Sequence, residues 1–220
     1  MKKSKAILMA LCAVLLVAAS VMGTLAYLTS TDTVTNTFTV GNVAITMDEL
    51  DVDNDNNTQD NVTVDNVTRD KANAYKLLPG HTFTKDPTIH VASTSEDCYL
   101  FVKVVNEIAA IEAKDTDTSK TSIAAQMEAK GWDVVDATNG IYVYADAQGK
   151  PAAVSAGASV VIFDNFTISG SVDNDTLAAY DGETIVVTAY AVQKDGFENK
   201  DASYIWGETF GKTTTPDPTT

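Results

Sequence analysis

Along most of this chain, apolar residues recur at every second position in short runs separated by turn residues. Val34, Phe38 and Val40 stand among Thr and Asn, and after Gly41-Asn42 the alternation resumes at Val43, Ile45 and Met47. A period of two predicts strands, and the Gly-Asn pair predicts a kink or turn between the two runs. The segment from Asp48 to Ala74 is polar, acidic and rich in Asn, which predicts a long loop, and Pro79-Gly80 predicts a turn. Phe83 to Thr94 opens the next strand, with Pro87 at an edge or a strand entrance. Cys98 to Ile108 is the most apolar run and predicts a central strand. Ser119 to Gly131 changes to a helical pattern, with Ser or Thr at its start and Gly131 placed to end it.

Beyond that helix, Trp132 to Asp136, Gly140 to Asp146 and Ala158 to Ser169 read as strands between turns. A stretch around Thr176 predicts at most a short helix. Glu183 to Gln193 reads as another long core strand, and Asp201 to Gly211 as a last helical turn. Many short strands and few helices predict an all-β fold: a β-sandwich spanning residues 27–212, with a partly helical insertion at 108–130 and a tail at 213–220.

The first 26 residues follow a different pattern. "MKKSK" is basic, Ala6 to Met22 is apolar, and Thr24-Leu25-Ala26 supplies small residues with Ala at the last position. This is the layout of a secretory signal helix, cut between Ala26 and Tyr27. The apolar run comes close to the roughly 18 residues of a membrane span, but small residues crowd its far end and no basic cluster follows. The expectation is export with cleavage and no membrane anchor afterwards. Residues Met9 to Leu11 before Cys12 lack the small residue that precedes a lipidated cysteine.

Charge narrows the partners. Fifteen Lys and Arg face 30 Asp and Glu, a net of -15, and removal of Lys2, Lys3 and Lys5 leaves the chain more acidic still. Such a surface repels phosphate backbones and anionic lipid headgroups, so no nucleic-acid partner is expected. Cleavage also removes Cys12 and leaves Cys98 alone, so no internal disulfide forms and the fold must hold by packing. Within its apolar run, Cys98 reads as a small core residue.

The stretch "GTLAYLTSTDTVTNTFTVGNVAI" resembles the signal and first strand of the TasA/camelysin family of exported Gram-positive proteins. The likeness rests on Ala26 before Tyr27, on Asn36-x-Phe38, and on Gly41-Asn42-Val43. A second stretch, with Pro79-Gly80, Lys85-Asp86-Pro87 and the strand opening at Tyr99, is similar to the same family, as more weakly is "TAYAVQKDGF". Together they touch about half of the chain; the acidic loop at 48–74 and the insertion have no counterpart. The resemblance implies a jelly-roll-like sandwich, a signal peptidase of the SipW type as processing partner, and a place at the cell surface or in the biofilm matrix. It further implies fibres of this chain or of related subunits, built by strand donation. Val34, Phe38 and Val40 would be the donor residues, because an added strand gains main-chain hydrogen bonds while alternate side chains fill pockets. The alternative is that Thr33 to Met47 is an ordinary first strand of its own sandwich.

Candidate chemistry is sparse. Camelysin-type members of the family are described as metallopeptidases, but the chain has only His81 and His90 and no H-E-x-x-H. A catalytic zinc needs three protein ligands and a general base, so no catalytic residue is assigned, and a camelysin-like extracellular metallopeptidase stands as the alternative function. Asp51, Asp53 and Asp55 occupy the first three ligand positions of an EF-hand-type loop. Asn56 stands where the turn glycine belongs and Val62 where the bidentate Glu belongs, so a full EF-hand is excluded. A looser oxygen-rich calcium loop stays open beside a solvated one. Exposed aromatics among Trp132, Tyr142, Tyr144, Tyr204 and Trp206 would suit a monomeric cell-wall or glycan-binding module; in alternating strands they equally suit sheet packing.

Overall fold

The computed structural model describes residues 41–53, 62–64, 67–114 and 121–211, together with residues 4, 5, 7, 9 and 11–16, which are helical. Two compact units are distinguished, Met1–Val40 and Gly41–Thr220. Among the described residues no helix is long and apolar enough to cross a membrane. The expected cleavage residues Ala26 and Tyr27 and the expected donor residues Val34, Phe38 and Val40 lie outside the described residues, as does Asp55.

Among its described residues the second unit is all-β, with three short helices. One sheet runs in the order β10 (Ser159–Val161), β5 (Thr88–Val91), β1 (Ile45–Leu50), β3 (Val67–Asp70) and β2 (Val62–Val64). Another runs β12 (Ile185–Gln193), β6 (Cys98–Asn106), β8 (Ile141–Tyr144) and β7 (Trp132–Asp136), with β9 (Ala153–Val154) pairing the start of β6. A two-stranded ladder joins β4 (Thr82–Thr84) to β11 (Asn165–Thr167). Every pairing is antiparallel.

One core gathers side chains from both larger sheets: Ile89 and Val91 from β5, and Cys98, Leu100 and Val102 from β6, with Phe163, Phe166 and Trp132. Opposite residues of β6 face a second cluster, where Tyr99 and Phe101 meet Ile205 of α3 (Ala202–Thr209). Burial on both faces explains why this strand is apolar at nearly every position rather than at alternate ones. The helix over that far face is two turns long, not one, and its Trp206 ring lies 5.7 Å from Phe101 and 5.1 Å from Tyr190. The insertion forms α1 (Ile123–Ala129), capped by Ser122 Oγ, which accepts from Ala125 N at 3.2 Å. Gly131 follows the helix at φ +86°, a backbone that glycine adopts at no steric cost. The short helix α2 (Asn174–Ala178) starts at Asp173, whose carboxylate accepts from Thr176 N.

One expectation changes and another is narrowed. The stretch 48–74 is not one loop: β1 continues to Leu50, and β2 and β3 form a tight hairpin that pairs back onto β1. The many Asp and Asn residues masked the β-branched Val and Thr that build it. β12 is the long strand expected and packs against both cores, but its side chains there are only partly buried. It is the edge of its sheet, because among the described residues only β6 pairs with it.

Candidate functional site

The edge position of β12 has a consequence for its backbone. Lys194 N donates to Asp97 O at 2.9 Å, and Glu107 N donates to Thr184 O at 3.0 Å. In an antiparallel pair, residues that exchange bonds with the partner alternate with residues whose amide and carbonyl point away. The even-numbered residues from Thr184 to Lys194 therefore face β6. The outward groups belong to Ile185, Val187, Ala189, Ala191 and Gln193, a row of five donors and five acceptors that no described strand pairs.

The side chains of Ile185, Val187, Ala189 and Ala191 form the core-facing row of β12, yet each is only partly buried. Val43, before β1, and Ile45 and Met47 on it pack against the same core and are also only partly covered. Between the two strands lies an open cleft of about 1070 Å³, with Met47, Tyr75, Phe166, Leu177, Ile185 and Val187 among its apolar lining. The cleft meets β12 from Ile185 to Val187, where outward backbone groups lie beside apolar side chains; Ala189 and Ala191 continue the row beyond its lining.

The polar wall of this cleft is a buried charge network. Lys85 Nζ lies 2.5 Å from Glu49 Oε2, and Asn73 Nδ2 donates to the other carboxylate oxygen at 2.9 Å. Behind it, Arg69 joins β1 to the approach of β5. It pairs with Asp48, donates to Asp86 Oδ2 at 2.9 Å, and reaches Thr88 Oγ1 at 3.1 Å. Burial opposes the charge on Arg69, but hydrogen bonds to Asp48 and Asp86 outweigh it and raise its pKa. Partial burial raises the pKa of Tyr75 well above its ordinary range, with Glu49, Asp86 and Asp53 adding repulsion. Its hydroxyl donates to Thr84 O at 3.0 Å. Lys85 and Asp86 belong to a stretch singled out in the sequence, but their partners Glu49, Asp48 and Arg69 were not legible there, since pairing between distant strands brings them together.

His90 on β5 has Nδ1 2.8 Å from Ser159 Oγ and Nε2 3.1 Å from Asp48 Oδ1, so both ring nitrogens are engaged. His81 follows the Pro-Gly turn, with Nδ1 3.2 Å from Pro79 O. Neither belongs to a group of three metal-ligating side chains among the described residues; the group found there is Asp51, Asp53 and Asp70. Two of these three are the acidic-loop residues singled out from sequence, and Asp70 is the one that sequence reasoning missed. Cys98 is fully buried, and burial, with Asp97 nearby, pushes its thiol up to about 11.

No protein-family model, no curated protein and no solved structure matches this chain.

Proposed function

We propose that this chain is an exported structural protein of the cell surface or extracellular matrix that assembles into fibres by strand donation. In this reading the domain is a jelly-roll-like β-sandwich with one incomplete side. The segment 33–40 of one copy, freed by signal cleavage after Ala26, lies along β12 of the next copy. Val34, Phe38 and Val40 enter the cleft, and their backbone pairs with Ile185, Val187, Ala189 and Ala191.

The observation that carries the reading is the coincidence, on one strand, of a free edge and a half-covered apolar row. An exposed edge is normally blunted by charge, proline or a bulge. The outward-pointing residues of β12 from Ile185 to Ala191 include no charged residue and no proline. A donor whose apolar residues alternate would both pair with the edge and cover the row below it, which a soluble ligand would do less completely.

The reading also accounts for the acidic surface. A net charge of -15 keeps the chain soluble and discourages non-specific association, leaving directed pairing as the route to assembly. The test is mass spectrometry of the exported chain's N-terminus, followed by electron microscopy of that same form. Cleavage after Ala26 with filaments that disappear in Phe38→Asp supports strand donation. A stable monomer after the same cleavage refutes it and favours a binding module.

A further inference from the structure

The acidic residues beside the cleft have no part in strand donation, and their arrangement points to a ligand of its own. We propose that Asp51, Asp53 and Asp70 form a calcium site that locks the β1–β3 side of the cleft. One carboxylate oxygen from each of the three lies within 4.8 Å of the others. Oxygens bound about 2.3–2.6 Å from a shared calcium are at most about 5 Å apart, so the side chains already stand at ligating distance.

Clustered acids alone would make only a charged surface; Asp70 is what distinguishes this group. It is 1% exposed, and its Oδ2 is shut from solvent without a hydrogen-bond partner. Its other oxygen accepts from Lys71 N at 2.5 Å and from Ala72 N at 3.4 Å. A buried carboxylate oxygen with no partner is costly, and a cation bound to it removes that cost. Two of the nearby cationic side chains are engaged by other acids, Arg69 by Asp48 and Asp86 and Lys85 by Glu49.

The surrounding backbone is braced in a way that presents the three side chains together. Asp51 N donates to Thr68 O at 3.1 Å, Val52 N to Asn73 Oδ1 at 2.8 Å, and Ala74 N to Asp53 Oδ2 at 2.5 Å. Asn73 Nδ2 reaches Leu50 O at 2.9 Å. These bonds hold residues 50–53 against residues 68–74, across the pairing that sets Glu49 opposite Asp70. The donor set is all oxygen, which excludes a soft-ligand zinc or copper preference. Magnesium demands tighter octahedral geometry at about 2.0–2.1 Å, so calcium is the better fit to three spread carboxylates. The motif read from sequence thus keeps its first two acids and takes its third from β3, brought in by strand pairing rather than by the loop.

The site is independent of the fibre reading, and its test is read on the purified full-length chain. Calcium, magnesium and EDTA are compared by isothermal titration calorimetry and thermal melting. The expected result is one calcium per chain with Kd in the range of about 10⁻⁵–10⁻³ M, magnesium at least about 10-fold weaker, and a higher melting temperature in calcium than in EDTA. Asp53→Asn and Asp70→Asn should each weaken calcium binding about 10-fold or more and abolish the calcium-dependent rise, while Asp195→Asn, in an exposed turn, keeps both. Should Asp70→Asn fail to fold, Asp51→Asn and Asp53→Asn, both on partly exposed positions, carry the comparison. Absence of saturable calcium binding, equal affinity for magnesium, or unchanged calcium binding in Asp51→Asn and Asp53→Asn overturns the assignment.

Discussion

Lys85 and Glu49 form an ion pair at 2.5 Å with side chains only 11% and 6% exposed, on the polar wall of the cleft between β1 and β12. The pair ties the entrance of β5 to the end of β1, so it fixes the wall against which an incoming strand would lie. Taking two charges from water is expensive, and their attraction offsets that cost only while both are present.

Lys85→Met is therefore expected to destabilise the domain by about 3–5 kcal/mol, because Glu49 is left buried with Asn73 as its one side-chain donor among the described residues. The double variant Lys85→Met, Glu49→Met should recover a large part of that loss. Urea unfolding of both variants checks this; a double variant as unstable as the sum of the single ones would contradict the buried-charge account.

Gly140 ends the β7–β8 turn at φ +66°, and a Cβ there would stand 2.2 Å from Val104 O. Its own carbonyl accepts from Val104 N at 2.9 Å, so neither partner can retreat without breaking the ladder. Gly140→Ala should cost at least about 3 kcal/mol. Gly157 has a similar φ of +77° with nothing within 4 Å of a built Cβ, so Gly157→Ala should cost about 1 kcal/mol. Thermal melting of the two variants separates the clash from the conformational strain.

Cys98 provides a pH-dependent test. Its thiol is raised from 9.0 to about 11 by burial and by Asp97. A group whose pKa is higher folded than unfolded contributes stability fully present below the unfolded value and lost as pH rises through the folded one. The stability of the domain should fall between about pH 9 and 11, by up to about 2–3 kcal/mol from this group. Cys98→Ala should flatten that part of the profile. Alkylation at pH 8 should be slow in the folded chain and fast in urea; rapid labelling without denaturant would contradict the burial.

Strand content was readable wherever neighbours did not matter. In β6 the apolar run reports burial on both faces, which is a property of the strand itself. β12 has nearly the same composition, yet it is an edge, because a sequence does not state which strand lies alongside. The hairpin from Val62 to Asp70 was hidden by the acids and amides around it. Arg69 with Asp48 and Asp86, and Asp70 with Asp51 and Asp53, were equally hidden, since each group meets only after β1 pairs with β3 and β5.

The central claim turns on the free edge of β12, and Ala189 is where it can be closed with least disturbance. Its amide points away from β6, so proline there removes an outward donor without removing a ladder bond. Electron microscopy of the exported wild-type chain and of Ala189→Pro, prepared side by side and matched for melting temperature, is the direct measurement. The account predicts filaments from the wild type and a folded, non-assembling monomer from Ala189→Pro. Filaments of equal length and number from the variant would contradict it.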